Sequence, residues 1–265
     1  MKKRFIVPAL ALVLIALLTA CQLKTVEPFQ FGMQGGRGNL VRGGGEAAER
    51  VVPIPGGAEA YTLRVSGLSF SADQGKFAVD LVIDESLARE VRLTVDSNIA
   101  EFISVHCGED GVITVKTEEQ RLLAPTRLRL VVGAPVGRLI LNGPWNFTYD
   151  CPSVEDCTIE INGAANGSLV FGALSRLEAV LNGACSLTLR GTAKQAVFTV
   201  NGASRVEAFG LIAGTAAVTI NGAGSCEVTA RETLDAEING VGSITYDGSP
   251  EVRRAVRGLG EIKAR

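Results

Sequence analysis

Leu141-Asn142-Gly143, Ile161-Asn162-Gly163-Ala164, Leu181-Asn182-Gly183-Ala184, Val200-Asn201-Gly202-Ala203, Ile220-Asn221-Gly222-Ala223 and Ile238-Asn239-Gly240-Val241 follow one another down the C-terminal half of the chain. Successive asparagines stand 20, 20, 19, 20 and 18 residues apart. A near-constant period in this range marks a stacked repeat, in which each unit buries its apolar face only against its neighbours. The residues one and three places before each asparagine are apolar, from Leu141 and Leu139 through Val200 and Phe198 to Ile238 and Ala236. Period-two apolar spacing that ends at a turn is a strand with one buried face. A second strand follows each turn, with Phe147/Tyr149, Leu187/Leu189, Val206/Ala208, Cys226/Val228 and Ile244/Tyr246 five and seven residues after the asparagine. In the second repeat this pair shifts by two, to Leu169 and Phe171.

Two architectures fit. Asn-Gly between apolar runs is the usual type I′ hairpin turn, which would give an antiparallel meander. Alternatively Asn-Gly is the corner of a parallel β-helix and each repeat is one coil. The constant spacing favours the helix, because equivalent residues must then stack about 4.8 Å apart in register. Stacked asparagines can bond to one another there, and glycine accepts positive φ at the corner. The expected fold is therefore all-β: a right-handed parallel β-helix with coils of about 20 residues, preceded by a β-rich N-terminal portion. Its corner residues, Asn142, Gly143, Asn162, Gly163, Asn182, Gly183, Asn201, Gly202, Asn221, Gly222, Asn239 and Gly240, are structural. In the last coil Arg257-Gly258 replaces Asn-Gly, Val256, Ile262 and Ala264 are inward, and Arg254 takes an inward position. Polar residues there suit the capped end that a solenoid needs to stay soluble.

Upstream, Tyr61–Val65, Phe77–Ile83, Val91–Val95, Phe102–Cys107, Val112–Lys116 and Leu128–Val132 read as short strands. Gly75, Asp96-Ser97-Asn98 and Gly108-Glu109-Asp110-Gly111 lie between them as turns, and Asp84–Glu90 suits one helical turn. The first residues form an export signal: Lys2, Lys3 and Arg4, then an apolar run from Phe5 to Ala20, then Leu18-Thr19-Ala20-Cys21. The run is too short for a membrane span, which needs roughly 20 residues, and its order fits a cleaved signal. The final four residues resemble a bacterial lipoprotein box, which implies lipid on Cys21. Several acyl chains on one residue would anchor the protein stably. Gln22 after the cysteine resembles outer-membrane sorting in enterobacteria. The expected organisation is a signal peptide over 1–20, lipidated Cys21 with a glycine-rich tether over 21–50, a β-rich part over 51–140, and the repeat region over 141–265.

Loss of residues 1–20 removes three positive charges and moves the formal charge from −2 to −5. A mildly acidic surface without a basic block argues against nucleic acid as a partner. Five cysteines remain beside Cys21: Cys107, Cys151, Cys157, Cys185 and Cys226. Cys151 and Cys157 are the expected disulfide, closing a local loop, since bridges are permitted outside the cytoplasm. His106 is the only histidine and no Cys-x-x-Cys pair occurs, so neither a metal nor any cofactor is expected. Carboxylates before the corners, Glu160, Glu178, Asp235 and Glu237, are scattered rather than stacked. Asp150, Glu155 and Asp156 read as a solvated loop, and Asn146-Phe147-Thr148 and Asn166-Gly167-Ser168 as chance glycosylation patterns.

The Asn-Gly-Ala repeats, the closing Gly242-Ser243-Ile244-Thr245-Tyr246-Asp247-Gly248-Ser249-Pro250 and the final Gly258-Leu259-Gly260-Glu261-Ile262 resemble the auto-transporter adhesin head GIN domain family. Val91–Lys116, with Asp96-Ser97-Asn98-Ile99 and Glu109-Asp110-Gly111-Val112-Ile113, is similar to that family's early strands. The resemblance covers roughly residues 50–265, although the family usually carries Ser-Gly-Ser-Gly at its corners. It implies a β-helical extracytoplasmic domain, often on a lipoprotein, and carries no catalytic residue set.

The expected protein is thus a non-enzymatic, lipid-anchored envelope module, held to the membrane through Cys21 and binding a glycan or a protein on its β-face. Trp145, Phe147, Tyr149 and Phe209 are the aromatic residues available for a sticky patch. A structural envelope protein without a ligand, and a carbohydrate-active β-helix enzyme, are the alternatives.

Overall fold

Register decides between the two architectures. Ile161 aligns with Leu181, Leu181 with Val200, Val200 with Ile220 and Ile220 with Ile238, every pair parallel. The Asn-Gly steps are therefore corners of a parallel β-solenoid of about six turns, and the meander is excluded. The computed structural model describes residues 40–66, 69–70, 79–117 and 122–265. The signal segment, Cys21, most of the tether, Gly75 and Phe77 lie outside the described residues.

Each coil contributes one strand to each of two parallel ladders. The first ladder stacks Val112–Thr117, Tyr61–Ser66, Val136–Asn142 and Asp156–Asn162, then the ends of the long strands Ala164–Leu181, Ala184–Val200, Arg205–Ile220 and Ala223–Ile238, and finally Glu251–Val256. The second stacks Leu128–Val132, Val79–Asp84 and Trp145–Cys151, then the beginnings of those four long strands, then Val241–Asp247 and Leu259–Ala264. The long strands bend between the ladders, where short pairings such as Leu174 with Ala193 and Ala193 with Ala213 make a narrow third side.

The parallel stack begins upstream of the Asn-Gly repeats, and its first coils are out of sequence order. Tyr61–Ser66 lies between Val112–Thr117 and Val136–Asn142, and Val79–Asp84 lies between Leu128–Val132 and Trp145–Cys151. Antiparallel strands close that end: Ile103–Cys107 on Val112–Thr117, and Glu90–Asp96 between Leu128–Val132 and Ala47–Pro53. The glycine-rich segment joins the fold before residue 50, since Leu40–Arg42 pairs with Leu122–Ala124. Asp96 and Asn98 hold its turn, with the Gly45 amide donating to Asp96 Oδ1 at 2.8 Å and the Gly44 amide to Asn98 Oδ1 at 2.9 Å.

The helical turn expected over Asp84–Glu90 is instead an Asx-type turn, with the Ser86 amide donating to Asp84 Oδ1 at 2.9 Å. One turn of helix falls at Ser97–Ala100, which read as a turn. Inside the coils the apolar columns form one continuous core from Ile54 to Ile262. The second repeat is not shifted: Phe147 aligns with Gly167, and Tyr149 with Leu169. Gly167 takes the inward place because a Cβ there would lie 2.3 Å from Phe147 Cζ. One aromatic ring fills the space of two side chains. At the last coil Arg254 donates to the Tyr246 hydroxyl at 2.5 Å and roofs its ring at 5.4 Å, so the charge covers the core end instead of entering it. Ile262 is buried there, whereas Val256 and Ala264 are exposed.

Candidate binding surface

The corner asparagines make an unbroken amide ladder. Each Nδ2 donates to the Oδ1 of the asparagine one coil earlier: Asn162 to Asn142 at 3.0 Å, Asn182 to Asn162 at 2.7 Å, Asn201 to Asn182 at 2.7 Å, Asn221 to Asn201 at 2.8 Å and Asn239 to Asn221 at 2.9 Å. Both ends are closed, by Asn142 donating to the Val65 carbonyl at 3.2 Å and by Arg257 donating to Asn239 Oδ1 at 3.2 Å. The glycines beside them serve a different need from the one expected. Of the corner glycines only Gly143, at φ 105°, has positive φ. Gly163, Gly183, Gly202, Gly222 and Gly240 are required by close approach, since a Cβ on any of them would stand 1.7–2.4 Å from the carbonyl oxygen of the glycine one coil below.

The Cys151–Cys157 bridge expected from the sequence is not formed: both thiols are free and buried. They end and begin different strands of one coil, and the Tyr149 side chain engages both groups' surroundings. Cys157 Sγ donates to the Tyr149 hydroxyl at 3.6 Å, that hydroxyl donates to the Val136 carbonyl at 2.7 Å, and Cys151 Sγ donates to the Ala134 carbonyl at 3.8 Å. Burial pushes the Cys151 thiol up to about 11 and Cys157 up to about 12. Both are protonated at neutral pH and poor nucleophiles. Burial raises Cys107, Cys185 and Cys226 as well. Among the described residues no group of three or more His, Cys, Asp or Glu side chains is arranged to hold a metal. His106 is exposed on the strand Ile103–Cys107.

Trp145, Phe147 and Tyr149 are buried core residues. Phe209 is the one of the four proposed patch aromatics that reaches the surface, with the Arg265 guanidinium 4.7 Å from its ring centre. It sits at a break in an otherwise regular ladder. From Thr188 to Arg190 the partner strand runs from Glu207 to Gly210, one residue longer, and the next coil is shorter again, Ala208 and Ile212 pairing with Val228 and Thr229. Such a bulge re-aims side chains. Directly beside it Glu207 and Glu227 are register partners on the outer face, about 4.8 Å apart along the stack. This carboxylate pair lies on the second strand of the coil, whereas the acids of the first strand are scattered, which is why it escaped the sequence reading.

Two open hollows mark the lateral surface. The first, about 350 Å³, is lined by Thr188, Leu189, Arg190, Glu207, Phe209, Gly210 and Glu227. Thr188 Oγ1 donates to Glu207 Oε2 at 3.3 Å on its rim. The second, about 950 Å³, runs over the narrow third side from Glu155 past Ser175, Lys194 and Thr215 to Glu232, on a floor of Ala173, Ala193 and Gly214. Of the acidic trio Asp150, Glu155 and Asp156, only Glu155 lines either hollow. Asn146 and Asn166 stack outward on the second ladder, Asn166 Nδ2 donating to Asn146 Oδ1 at 3.3 Å.

These features define an extended β-solenoid with a polar-laddered corner and shallow lateral hollows. The family model described as "Putative auto-transporter adhesin, head GIN domain" matches residues 74–250, and the chain belongs to that family. Crystal structures share the fold. A putative adhesin from Bacteroides fragilis NCTC 9343 superposes with a TM-score of 0.66 at 18% identity, over 85% of this chain and 100% of its own. A putative lipid binding protein from Parabacteroides distasonis ATCC 8503 gives 0.57 at 22% identity, over 86% and 100%. A putative adhesin from the same organism gives 0.54 at 18% identity, again over 86% and 100%. No curated protein is significantly similar in sequence.

Proposed function

We propose that this protein is a lipid-anchored module of the cell envelope that binds a macromolecule, glycan or protein, through its outer β-faces and performs no catalysis. The observation that carries the reading is the membership of an adhesin-type family over residues 74–250. The lipid anchor rests on Leu18-Thr19-Ala20-Cys21. The non-catalytic reading rests on the same family membership, whose model describes an adhesin head. A role as a structural envelope element is the second reading, favoured by the closed amide ladder.

The test is protease shaving of intact cells with a periplasmic protein as control, alongside a Cys21→Ser variant. Cleavage of the wild type alone, and release of the variant into the soluble fraction, support a surface-facing lipoprotein. Full protection refutes adhesion at the cell surface, and retention of the variant in the membrane refutes the anchor.

A further inference from the structure

We propose that the hollow beside Phe209 is a binding site for a neutral saccharide ring. The inference deepens the binding role above and rests on it. The four groups that converge there define the ligand's chemistry. Glu207 and Glu227 supply acceptor oxygens on adjacent rungs, Arg190 supplies guanidinium donors from the same wall, and Phe209 supplies an apolar surface in the bulge. A bare cation drawn to the carboxylates meets Arg190, and an anion drawn to Arg190 meets two carboxylates. A neutral polyol has no such conflict. Its hydroxyls donate to the carboxylate pair and accept from the guanidinium, while its C–H face packs on the ring.

Geometry agrees with this chemistry. The hollow's volume, about 350 Å³, is at the small end of ligand sites, the size of one or two sugar rings. The backbones of Glu207 and Glu227 are one strand spacing apart, about 4.8 Å, which places their side chains on neighbouring rungs within the span of one sugar ring. The Arg265 guanidinium lies over the Phe209 ring, 4.7 Å from its centre, and Arg265 does not line the hollow. Among the described residues, the ladder irregularity that brings Phe209 to the surface coincides with the stacked carboxylates of the second ladder.

The experiment is saturation-transfer NMR and calorimetry on the detergent-solubilised protein. The probes are neutral tetrasaccharides of glucose, mannose, galactose and N-acetylglucosamine, with tetralysine as the cationic comparison. The variants are Phe209→Ala, the volume-conserving pair Glu207→Gln with Glu227→Gln, and Thr215→Ala in the larger groove, each checked by thermal melting. The expected result is binding of at least one tetrasaccharide, weakened tenfold or more by both hollow variants and unchanged in Thr215→Ala. If Phe209→Ala fails to fold, the Gln pair alone decides. Saccharide binding unaffected by the Gln pair, binding of none of the four, or preference for tetralysine overturns the inference. The shaving experiment judges the surface role separately, so the two can fail independently.

Discussion

Gly183→Ala is the substitution on which the solenoid argument depends most sharply. The new Cβ would lie 1.7 Å from the Gly163 oxygen, well inside van der Waals contact, so the corner must open by more than an ångström. Opening it strains the Ala184 amide bond to the Gly163 carbonyl at 3.0 Å and the Asn182 bonds to Asn162 and Asn201, both 2.7 Å. Three hydrogen bonds at about 1 kcal/mol each, with overpacking of about 1–3 kcal/mol, give a destabilisation of roughly 4–6 kcal/mol. Urea denaturation followed by circular dichroism measures it. Gly56→Ala is the control, because its Cβ would meet only Arg89 Nη1 at 3.5 Å and its φ is not positive. That control should stay within about 0.5 kcal/mol of wild type. A Gly183→Ala protein equally close to wild type would refute close approach as the reason for glycine at the corners.

Asn201→Ala removes one donated and one accepted ladder bond at an exposed corner where water can replace part of each, so it should cost about 1–2 kcal/mol in the same denaturation assay. Burial raises the pKa of Asp96, but hydrogen bonds from the Thr126 hydroxyl and the amides of Thr126, Gly45 and Arg127 outweigh it, and the carboxyl is held below its usual value. Because the folded pKa is the lower one, Asp96 stabilises above its unfolded pKa and that contribution disappears as pH falls through the folded value. Melting temperature should therefore fall in acid, and Asp96→Asn, less stable at pH 7, should show a flatter profile below about pH 4. The four buried cysteines, Cys151, Cys157, Cys185 and Cys226, should resist a thiol reagent at pH 8 in the native state and react in denaturant, whereas the half-buried Cys107 should label first. Rapid native labelling of Cys151 or Cys157 would contradict their burial.

What the sequence revealed tracks where the physics is periodic. From Leu141 to Ile244 the corner and most inward columns could be read residue by residue, because each coil repeats the same environment, whereas in the last coil Val256 and Ala264 lose the neighbour that would bury them. The coil over residues 61–84 carries no Asn-Gly corner among its described residues, so its place in the stack has no local signature; only pairing with residues distant in sequence reveals it. Gly167 looked like a slip of register because sequence shows which residue is small but not that Phe147 occupies its space. The hollow beside Phe209 was missed for a related reason. Glu207 and Glu227 stand 20 residues apart on the outer face, where polar residues are expected and attract no notice. The bulge that brings Phe209 beside them shows in the sequence as no more than repeat lengths of 19, 20 and 18 residues in succession.

The interleaved coil sets an order of events during folding. Coils beyond residue 136 can each close on a neighbour made about 20 residues earlier, a cheap local loop that propagates like a zipper. Tyr61–Ser66 instead waits for two partners, Val112–Thr117 and Val136–Asn142, that lie later in the chain. Until both arrive it is an apolar strand with two unsatisfied edges. Long-range closure of this kind is slow, so the N-terminal end, made first, is completed late. It is the segment whose edges stay unpaired longest during folding.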